Sequence, residues 1–600
     1  MKLVVDIETN GLLDELTCIH CIVAKDVDSG VVHSFRPDDI RKGIALLESA
    51  DELIAHNGIK FDIPAIKKLY PQFKSPKVTD TLICTRLIWS NIKDDDAERL
   101  KNEPDFPRKL YGSQSLKAWG YRLGNLKGDY GSQDAAWDVF SEEMLTYCQQ
   151  DVEVTADLYA KIVEQKYSEQ AIELEHQVAW IMAKQERNGF VFDEKKAQEL
   201  YIELATKRDE IKQGLDKLFK PWVVAEGIKT PKRTVNYKDP QRASTVAGCD
   251  YTSIKIVEFN PSSRQHIADR LMKVRGWKPK EFTKGNQAKV DETTLSGLKF
   301  PEAKVMAEYF LIQKRLAQLS EGSQGWMRVV KDGKIHGSVN TNGAVTGRAT
   351  HAYPNIAQVP SCSAPYGKQC RELFTVPKGW KLMGADASGL ELRCLGHFMA
   401  AYDGGAYIKE LLEGDIHTAN QHAAGLPSRG EAKRFIYCYL YGGGDQLVGE
   451  LVGGGRREGK AIKDRFLKKT PALAKLRELV VDAAESRGFI YGLDRRRIHC
   501  RSPHSSLNAL LQSSGGLICK QWLVQFVKAM KQAGFRHGWE GDFAMCAWVH
   551  DEIQVACRED VAEQIGDIAV ATIKEVTDIF NFMCPLDGEY NVGDNWAETH

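Results

Sequence analysis

Four acidic residues near the start of the sequence have the types and the order needed to hold divalent metal ions. Asp6 and Glu8 stand two apart in the apolar stretch VVDIETNG, so on a β-strand both side chains point to one face. Asp62 follows a strand-like stretch and a glycine turn in HNGIKFDIPAI, and Tyr147 and Asp151 lie four apart in YCQQDVEVT, on one helical face. A D-x-E pair alone is more often a solvated strand edge. The whole set predicts a two-metal site at a phosphate, with carboxylate ligands and a tyrosine hydroxyl to orient the water.

A second set of acids lies far along the chain, in segments that otherwise favour burial. Asp386 ends a predicted strand in MGADASGLELRCLGHF, and Asp551 stands beside Glu552 in WVHDEIQV, which predicts a second buried strand. Burial of a carboxylate is unfavourable unless a positive charge pairs with it. Two aspartates on distant strands therefore predict a shared pair of metal ions, the arrangement that nucleotidyl transfer requires.

Between these acids, SRGEAKRFIYCYLYGGG (428–444) predicts a helix that three glycines terminate. Arg429, Lys433, Tyr437 and Tyr441 recur every four residues, so they line one side. Basic groups suit phosphates, and aromatic groups can stack on bases. Taken alone, this helix is more simply interpreted as an amphipathic surface helix, and the neighbouring acids favour the nucleotide-binding interpretation.

The elements that must position these residues belong to several domains, since 600 residues are too many for one core. Residues 1 to about 165 alternate strand-like and helix-like segments, as in an α/β domain. Long helices are predicted at 169–188, 193–219 and 301–320. The acidic stretch 93–107 is predicted to be a surface loop. The polar, weakly periodic stretch 223–258 is predicted to be an extended insertion with little apolar surface.

Composition and charge exclude some classes of protein. Apolar runs fall well short of the ~18 residues that a membrane span needs, and the start lacks the features of a signal peptide, so we expect a cytoplasmic protein. The 14 cysteines are scattered and predicted to be reduced. Formal net charge is zero, but the basic runs 456–469 and 494–501 segregate positive charge. Such runs are usually solvated faces, and here they are also candidates for contact with DNA.

The motifs resemble those of known enzymes. The first set is similar to the three motifs of the DnaQ-like proofreading exonucleases, and the segments around Asp386, 428–444 and Asp551 resemble motifs A, B and C of family A DNA polymerases. The resemblance extends over almost the whole chain to the replicative polymerases of T-seven-type bacteriophages. It is carried further by TNGAVTGRATHAYPNIAQVP (341–360), GDIHTANQ (414–421), RSPHSSLNALLQSSG (501–515) and the terminal GDNWAETH.

This resemblance implies a fold and domain boundaries. A DnaQ-like (RNase H-like) α/β exonuclease domain is expected over 1–165, followed by a right-hand polymerase domain, α+β, over 166–600. Within the polymerase domain the thumb is expected at about 190–330 with the short insertion 223–258, the fingers at about 406–499, and the palm at about 331–405 and 500–600.

The resemblance also implies a role for each matching residue. The metal ligands of the exonuclease are Asp6, Glu8, Asp62 and Asp151, with Tyr147 orienting water. The polymerase metals are held by Asp386, Asp551 and the carbonyl of Ala387, with Glu552 as an accessory acid. The incoming-nucleotide site comprises His417, Arg429, Lys433, Tyr437 and Glu391, the last a steric gate against a ribose 2′-hydroxyl. The groups expected at primer–template are Arg348, Tyr441, His504, Asn508, Gln512 and His550.

The implied function is replicative, DNA-directed DNA synthesis with 3′→5′ proofreading, in the cytoplasm of an infected bacterium. Two Mg²⁺ ions are expected in each site, with Mn²⁺ able to substitute. The expected partners are primer–template DNA, dNTPs and a phage helicase–primase at the C-terminus. One alternative is a single-subunit RNA polymerase, against which the exonuclease set and Glu391 argue. The other is a non-catalytic replication scaffold, against which the complete sets of acids argue.

Two departures from the family pattern stand out. Arg495 occupies a position where the family often has glycine. The insertion 223–258 is much shorter than the thumb loop that binds thioredoxin in the family, so a thioredoxin-type processivity factor is not expected. The alternative is a shortened loop that still binds thioredoxin or a phage-encoded relative. We expect the insertion's basic residues to contact the duplex directly; they are Lys229, Lys232, Arg233, Lys238 and Arg242.

Overall fold

The computed structural model describes residues 1–103, 105–126, 128, 130–132, 136–238 and 244–599. The chain forms two compact units, one of residues 1–192, 334–363 and 374–600, the other of residues 193–333 and 364–373. No helix in the described ranges combines the length and the apolar character of a membrane span.

The first unit begins with a five-stranded mixed sheet. Its strands are β1 (Lys2–Thr9), β2 (Ile19–Asp26), β3 (Val32–Phe35), β4 (Glu52–Ala55) and β5 (Lys77–Asp80), in the order β3-β2-β1-β4-β5. The central strand β1 is antiparallel to β2 and parallel to β4. Its apolar side chains Leu3, Val5 and Ile7 are buried, so the strand that carries Asp6 and Glu8 is fixed by the core of this region.

Six helices accompany this sheet. They are α1 (Ile40–Glu48), α2 (Asp62–Leu69), α3 (Thr81–Ile88), α4 (Ile92–Asn102), α5 (Leu116–Leu123) and α6 (Glu142–Glu164). The prediction of a surface loop at 93–107 is wrong, because α4 occupies most of it. The helix is stabilised through its buried residue Asp96, which accepts a hydrogen bond of 2.8 Å from Arg122. A tertiary contact of this kind overrides a polar local sequence.

The long helix α7 (Glu169–Asn188) follows and matches its prediction, with Gly189 just beyond it at φ +64°. It leads to β6 (Phe190–Phe192), which lies in the middle of a small sheet. The edges of that sheet are β9 (Lys334–Ile335) and β12 (Phe374–Thr375). Two further strands, β10 (Ser338–Asn340) and β11 (Thr350–Ala352), form a hairpin around residues 341–349.

The second unit is mainly helical and carries a two-stranded hairpin. Its helices are α8 (Glu194–Leu218), α9 (Arg264–Arg275), α10 (Glu292–Ser296), α11 (Pro301–Leu316), α12 (Trp326–Val329) and α13 (Gly367–Arg371). The hairpin strands are β7 (Trp222–Lys229) and β8 (Tyr251–Val257).

This hairpin corrects the expectation that 223–258 offers little apolar surface. Val223, Ile228, Ile254 and Ile256 share one face of it, and their side chains are between 59% and 74% exposed. Because a two-stranded sheet buries neither face, strand-forming residues remain accessible. Arg242 lies outside the described residues, in the gap 239–243.

The rest of the first unit is built around a four-stranded antiparallel sheet. Its strands are β13 (Trp380–Ala387), β16 (Phe543–Val549), β17 (Glu552–Arg558) and β18 (Gly588–Gly593), in the order β16-β17-β13-β18. The helices α21 (Ser506–Gln532) and α22 (Ala562–Ile579) pack with it in one apolar core. Trp522 of α21 is buried and donates a hydrogen bond to the carbonyl of Ala569 of α22.

Between β13 and α21 lies a largely helical region. Its helices are α14 (Leu390–Asp403), α15 (Ala406–Glu413), α16 (Ile416–Ala424), α17 (Arg429–Leu440), α18 (Asp445–Glu450), α19 (Arg456–Lys469) and α20 (Pro471–Arg487). A hairpin of β14 (Phe489–Tyr491) and β15 (Arg497–His499) closes it. The predicted helix 428–444 ends at Leu440, so Tyr441 caps it rather than lying within it.

Two candidate active sites

The first site lies along β1 and α6. A carboxylate oxygen of Asp6, a carboxylate oxygen of Glu8 and the Sγ of Cys148 all lie within 4.8 Å of one another. The Cys148 thiol donates towards Asp6 Oδ2 at 3.4 Å, and burial is the main cause that raises its pKa well above the ordinary value. A protonated thiol therefore faces the carboxylate pair and adds no further negative charge.

Asp62 and Asp151 are both buried in this region. Burial, together with the charges of Asp80 and Asp151, raises the pKa of Asp62 to about 7. Carboxylates crowded in this way repel one another unless a cation lies between them. The donors are oxygens, the ligands that hard divalent ions prefer, so the residues fit the metal pair that the sequence predicts.

Asp80 is a residue that the motif analysis missed. Its carboxylate accepts hydrogen bonds from the backbone N–H groups of Asn57 (2.9 Å), Ile59 (3.1 Å) and Leu82 (2.9 Å). It therefore caps α3 and holds the loop that leads to Asp62. An aspartate before an apolar helix is a recognisable N-cap signal, but its hydrogen bonds to a distant loop cannot be predicted from the sequence.

Tyr147 lies on α6 one turn before Asp151 and belongs to an aromatic group. Its ring centroid is 5.8 Å from that of Tyr130 and 6.0 Å from that of Trp137. These neighbours restrict the ring, so its hydroxyl is presented from a defined direction.

The second site is built where β13 meets β17. In the register of these strands Asp386 lies opposite Glu552, and the backbone N–H of Ala387 donates to the carbonyl of Asp551 at 3.1 Å. Two segments distant in sequence thus bring their acids to one end of the sheet. Burial, followed by the charge of Glu391, raises the pKa of Asp551.

The prediction that 548–555 forms one continuous strand is wrong. The chain turns at His550 and Asp551, so β16 and β17 form a tight hairpin. His550 has φ +59°, a left-handed conformation that turns require and that histidine adopts more readily than β-branched residues. Asp551 therefore lies at the tip of a hairpin rather than inside a strand.

Glu552 is held differently from the two aspartates. It is buried and accepts hydrogen bonds from Trp596 Nε1 and from Gln554 Nε2, the latter at 2.6 Å. Thr599 in turn donates to Gln554 at 2.8 Å. The terminal GDNWAETH segment, of which His600 lies outside the described residues, thus supports the strand that carries Glu552.

A cavity of about 320 Å³ opens beside Asp551. Its wall includes Arg348, Glu391, Tyr441 and His550. The hydroxyl of Tyr441 donates to Glu391 at 2.7 Å, and burial with this bond raises the tyrosine pKa. The two side chains therefore form one polar unit at the cavity wall.

The predicted nucleotide-binding residues line α17 and the start of α16. Arg429 and Lys433 are exposed on α17, while Tyr437 is half-buried, with its ring centroid 6.4 Å from that of His417. Asp415, which the motif analysis missed, caps α16 and accepts a hydrogen bond from Arg429 at 2.7 Å. This bond holds the pKa of Asp415 below its ordinary value.

The remaining predicted DNA contacts lie on or next to α21. Asn508 Nδ2 donates to the carbonyl of Tyr441 at 3.4 Å, and Arg348 Nε donates to the carbonyl of Gln512 at 3.3 Å. His504 is exposed in the turn before the helix. Asn508 and Gln512 therefore position the cavity residues Tyr441 and Arg348.

The basic run 494–501 is only partly a solvated face, because Arg495 and Arg501 are exposed while Arg496 is buried. Arg496 is buried and its guanidinium is bonded to the buried Asp494 at 2.7 Å. Arg495, where the resemblance leads one to expect glycine, adopts a left-handed conformation at φ +64°. That conformation costs an L-residue about 1–2 kcal/mol, and the adjacent buried pair holds it in place.

Comparisons with known proteins agree with this geometry. Residues 240–598 match the profile of DNA polymerase family A, and residues 3–163 match that of the RNase H superfamily. The polymerase domain of Pol1 from M. smegmatis, solved with a DNA primer–template and dNTP, superposes with a TM-score of 0.74 at 17% identity. That superposition covers 100% of this chain and 96% of the other, and it shows the shared fold.

Two curated relatives match over the full length of both chains at 42% identity, the DNA-directed DNA polymerases of Enterobacteria phage T3 and Escherichia phage T7. Each alignment runs over 705 positions against the 600 residues of this chain, so these relatives contain insertions that it lacks. The chain therefore belongs to DNA polymerase family A, with an RNase H-like exonuclease domain at its N-terminal end.

Proposed function

We propose that the two carboxylate sites are the active sites of a replicative, DNA-directed DNA polymerase that corrects its own errors with a 3′→5′ exonuclease. The observation that carries the proposal is the β13–β17 pairing, with Asp386 opposite Glu552 and Ala387 bonded to Asp551. Its substrates are primer–template DNA and dNTPs. The exonuclease region supports proofreading through a separate set of acids.

In the polymerase site the chain's own residues bind and select the nucleotide. Arg429 and Lys433 supply exposed cations for the triphosphate, next to the ring of His417. Burial raises the pKa of Tyr437, and the negative charges of Glu391 and Asp551 raise it further. Its hydroxyl therefore stays protonated and can donate to the incoming nucleotide.

Glu391 and the cavity wall supply selectivity. The Glu391 carboxylate, held by Tyr441, would leave no room for a ribose 2′-hydroxyl. Arg348 and His550 offer donors towards the primer–template, where minor-groove acceptors are nearly alike for every correct pair. These residues would therefore test the shape of a base pair without reading its sequence.

Family A polymerases and RNase H-like nucleases depend on metal ions, and we propose Mg²⁺ for both sites. Asp386, Asp551 and the carbonyl of Ala387 would hold the polymerase pair, and Asp6, Glu8, Asp62 and Asp151 the exonuclease pair. When bound, the ions stabilise phosphate charge and activate the attacking oxygen. Tyr147 would orient the water in the exonuclease site.

The domain boundaries and the partners of the chain are also proposals. We assign the exonuclease domain to 1–165 and the polymerase domain to 166–600, with the thumb, palm and fingers within it as expected above. Trp596 and Thr599 are buried, so a helicase–primase at this end would meet exposed Glu598. The phage relatives support work in the cytoplasm of an infected bacterium.

We also propose that synthesis does not require a thioredoxin-type factor, because the insertion 223–258 is short. The exposed apolar face of the β7–β8 hairpin makes this worth testing directly. The test measures product length on a long primed template with and without excess reduced thioredoxin. Much longer products with thioredoxin would contradict the proposal.

Primer extension is the experiment that tests the main proposal. We expect dNTP incorporation that requires Mg²⁺ or Mn²⁺, stops with chelator and strongly exceeds incorporation of rNTPs. Equal use of rNTPs would favour an RNA polymerase. No extension under any metal would favour a non-catalytic scaffold.

A further inference from the structure

The segment 338–348 contacts the exonuclease region at two points. Lys60, two residues before Asp62, donates from its Nζ to Ser338 Oγ at 2.8 Å and to Glu186 at 2.6 Å. Asn342 donates from its Nδ2 to the carbonyl of Arg86, on α3, at 2.7 Å. The segment that ends at Arg348, on the wall of the polymerase cavity, is thus bonded to the exonuclease region.

The same segment is held from the other side by a buried cluster of four charges. Arg496 and Lys520 both donate to Glu175 Oε1, and Arg496 also pairs with Asp494. All four side chains are buried, and their charges balance. Burial alone would raise the pKa of Glu175, but the positive charges of Lys520 and Arg496 outweigh it and lower that pKa. Burial lowers the pKa of Lys520 to about 8, so at neutral pH the cluster remains largely ionised.

Two members of this cluster hold the segment itself. Arg496 Nη1 donates to Asn342 Oδ1 at 3.1 Å, and Lys520 Nζ donates to the carbonyl of Gly347 at 2.7 Å. Gly347 has φ +79°, and a Cβ there would lie 2.9 Å from Arg496 Nη1. The residue directly before Arg348 is thus packed against the guanidinium that also holds Asn342.

The side-chain amide of Asn342 makes one hydrogen bond through its N–H group and another through its oxygen, to two different parts of the molecule. The N–H group bonds to the exonuclease helix α3, and the oxygen bonds to the cluster that fixes Gly347 and hence Arg348. The side chain is buried, so water does not replace either bond readily.

We propose that Asn342 is a positioning residue that couples the two active sites, so that the share of primer ends processed by each site depends on its amide. This inference rests on the proposed polymerase and exonuclease functions. Loss of the bond to α3 frees the segment that holds Arg348, and the primer end then leaves the polymerase cavity more often.

The test compares Asn342→Asp with Gln114→Ala. Aspartate keeps an acceptor for Arg496 and loses the donor to the Arg86 carbonyl. Gln114 donates to the carbonyls of Trp89 (2.9 Å) and Thr85 (3.3 Å) at the same end of α3 and accepts from Trp119, so these bonds stay within the exonuclease region. It therefore serves as a matched control for damage to that helix alone.

The readout is idling turnover, the conversion of dNTP to dNMP on a matched primer–template, divided by the extension rate. Hydrolysis of single-stranded DNA, and extension in an Asp6→Ala, Glu8→Ala background, give the two activities separately. Coupling changes in such networks correspond to about a twofold to thirtyfold effect, and we expect Asn342→Asp to raise the ratio within that range. Both separate activities should stay near wild type, and Gln114→Ala should leave the ratio unchanged.

An unchanged ratio in folded Asn342→Asp overturns the proposal. So does a parallel fall in both separate activities, which indicates a structural role alone. If Asn342→Asp does not fold, the smaller Asn342→Ala decides, since it removes both bonds of the amide: a rise in the ratio supports the coupling, and no rise overturns it. Absence of either activity in the wild-type enzyme would instead contradict the proposed function.

Discussion

The two proposed active sites are built by different constructions. The exonuclease acids come from one contiguous region, where burial, followed by the charges of Asp80 and Asp151, raises the pKa of Asp62 to about 7. The polymerase acids come from strands far apart in sequence, and Glu552 is supported by the neutral donors Trp596 and Gln554. The first site therefore depends on a cation to relieve repulsion, while the second depends on the fold to bring its acids together.

Removal of a polymerase carboxylate should have the largest effect. We expect Asp551→Asn to lower the extension rate by about a thousandfold or more, because a metal ligand contributes several kcal/mol to the transition state. Duplex affinity should change little, since it depends mainly on phosphate contacts. Single-turnover extension and a binding titration measure the two quantities, and extension near the wild-type rate would remove Asp551 from the site.

The reciprocal change should affect only the other site. We expect Asp6→Ala combined with Glu8→Ala to lower exonuclease activity by about a thousandfold, with primer extension unchanged. Hydrolysis of labelled single-stranded DNA provides the measurement. Loss of extension in the folded double variant would show that the two sites are not independent.

A smaller effect tests how the nucleotide is held. In the family that this chain resembles, a tyrosine at position 437 supplies a hydroxyl where a dideoxynucleotide lacks one. We expect Tyr437→Phe to increase discrimination against dideoxynucleotides by about tenfold to a hundredfold, the equivalent of one unpaired polar partner. Competition between ddNTP and dNTP measures this, and unchanged discrimination would rule out the role.

The smallest expected effect is on the pH dependence of folding stability, and it concerns Asp62 of the exonuclease site. Since the pKa of Asp62 is raised from 3.8 to about 7, ionisation of Asp62 destabilises the folded protein increasingly as pH rises from about 4 to 7. We expect Asp62→Asn to stabilise the metal-free protein at pH 8 by about 1–3 kcal/mol. This gain should shrink towards pH 4.

Thermal unfolding with chelator measures this prediction, and exposed Asp28→Asn is the control that should show no gain. Mg²⁺ should stabilise the wild type more than Asp62→Asn. A wild type that is more stable than Asp62→Asn at pH 8 without metal would contradict the argument that burial and neighbouring carboxylates disfavour ionised Asp62.

Much of the fold and of both sites could be predicted because the relevant signals are local. The strand β1 and the helices α6 and α7 follow from the spacing of apolar residues, and the acids stand at fixed offsets within them. The left-handed turn at His550 could not be predicted, because histidine is not a strong turn signal. The cluster of Glu175, Asp494, Arg496 and Lys520 could not be predicted either, because three distant segments contribute to it. A basic run looks the same in sequence whether solvent or a buried acid surrounds it.

The position of β13 between β17 and β18 also has a consequence for how the polypeptide is made. A ribosome completes the exonuclease region early, and that region can fold while synthesis continues. β13 emerges long before either of its neighbouring strands, so the backbone groups along both of its edges are unpaired until then. Unpaired edges of this kind are prone to aggregation. The interval between the synthesis of β13 and that of Trp596 is therefore when the nascent chain is most exposed to misfolding, and slower translation would lengthen it.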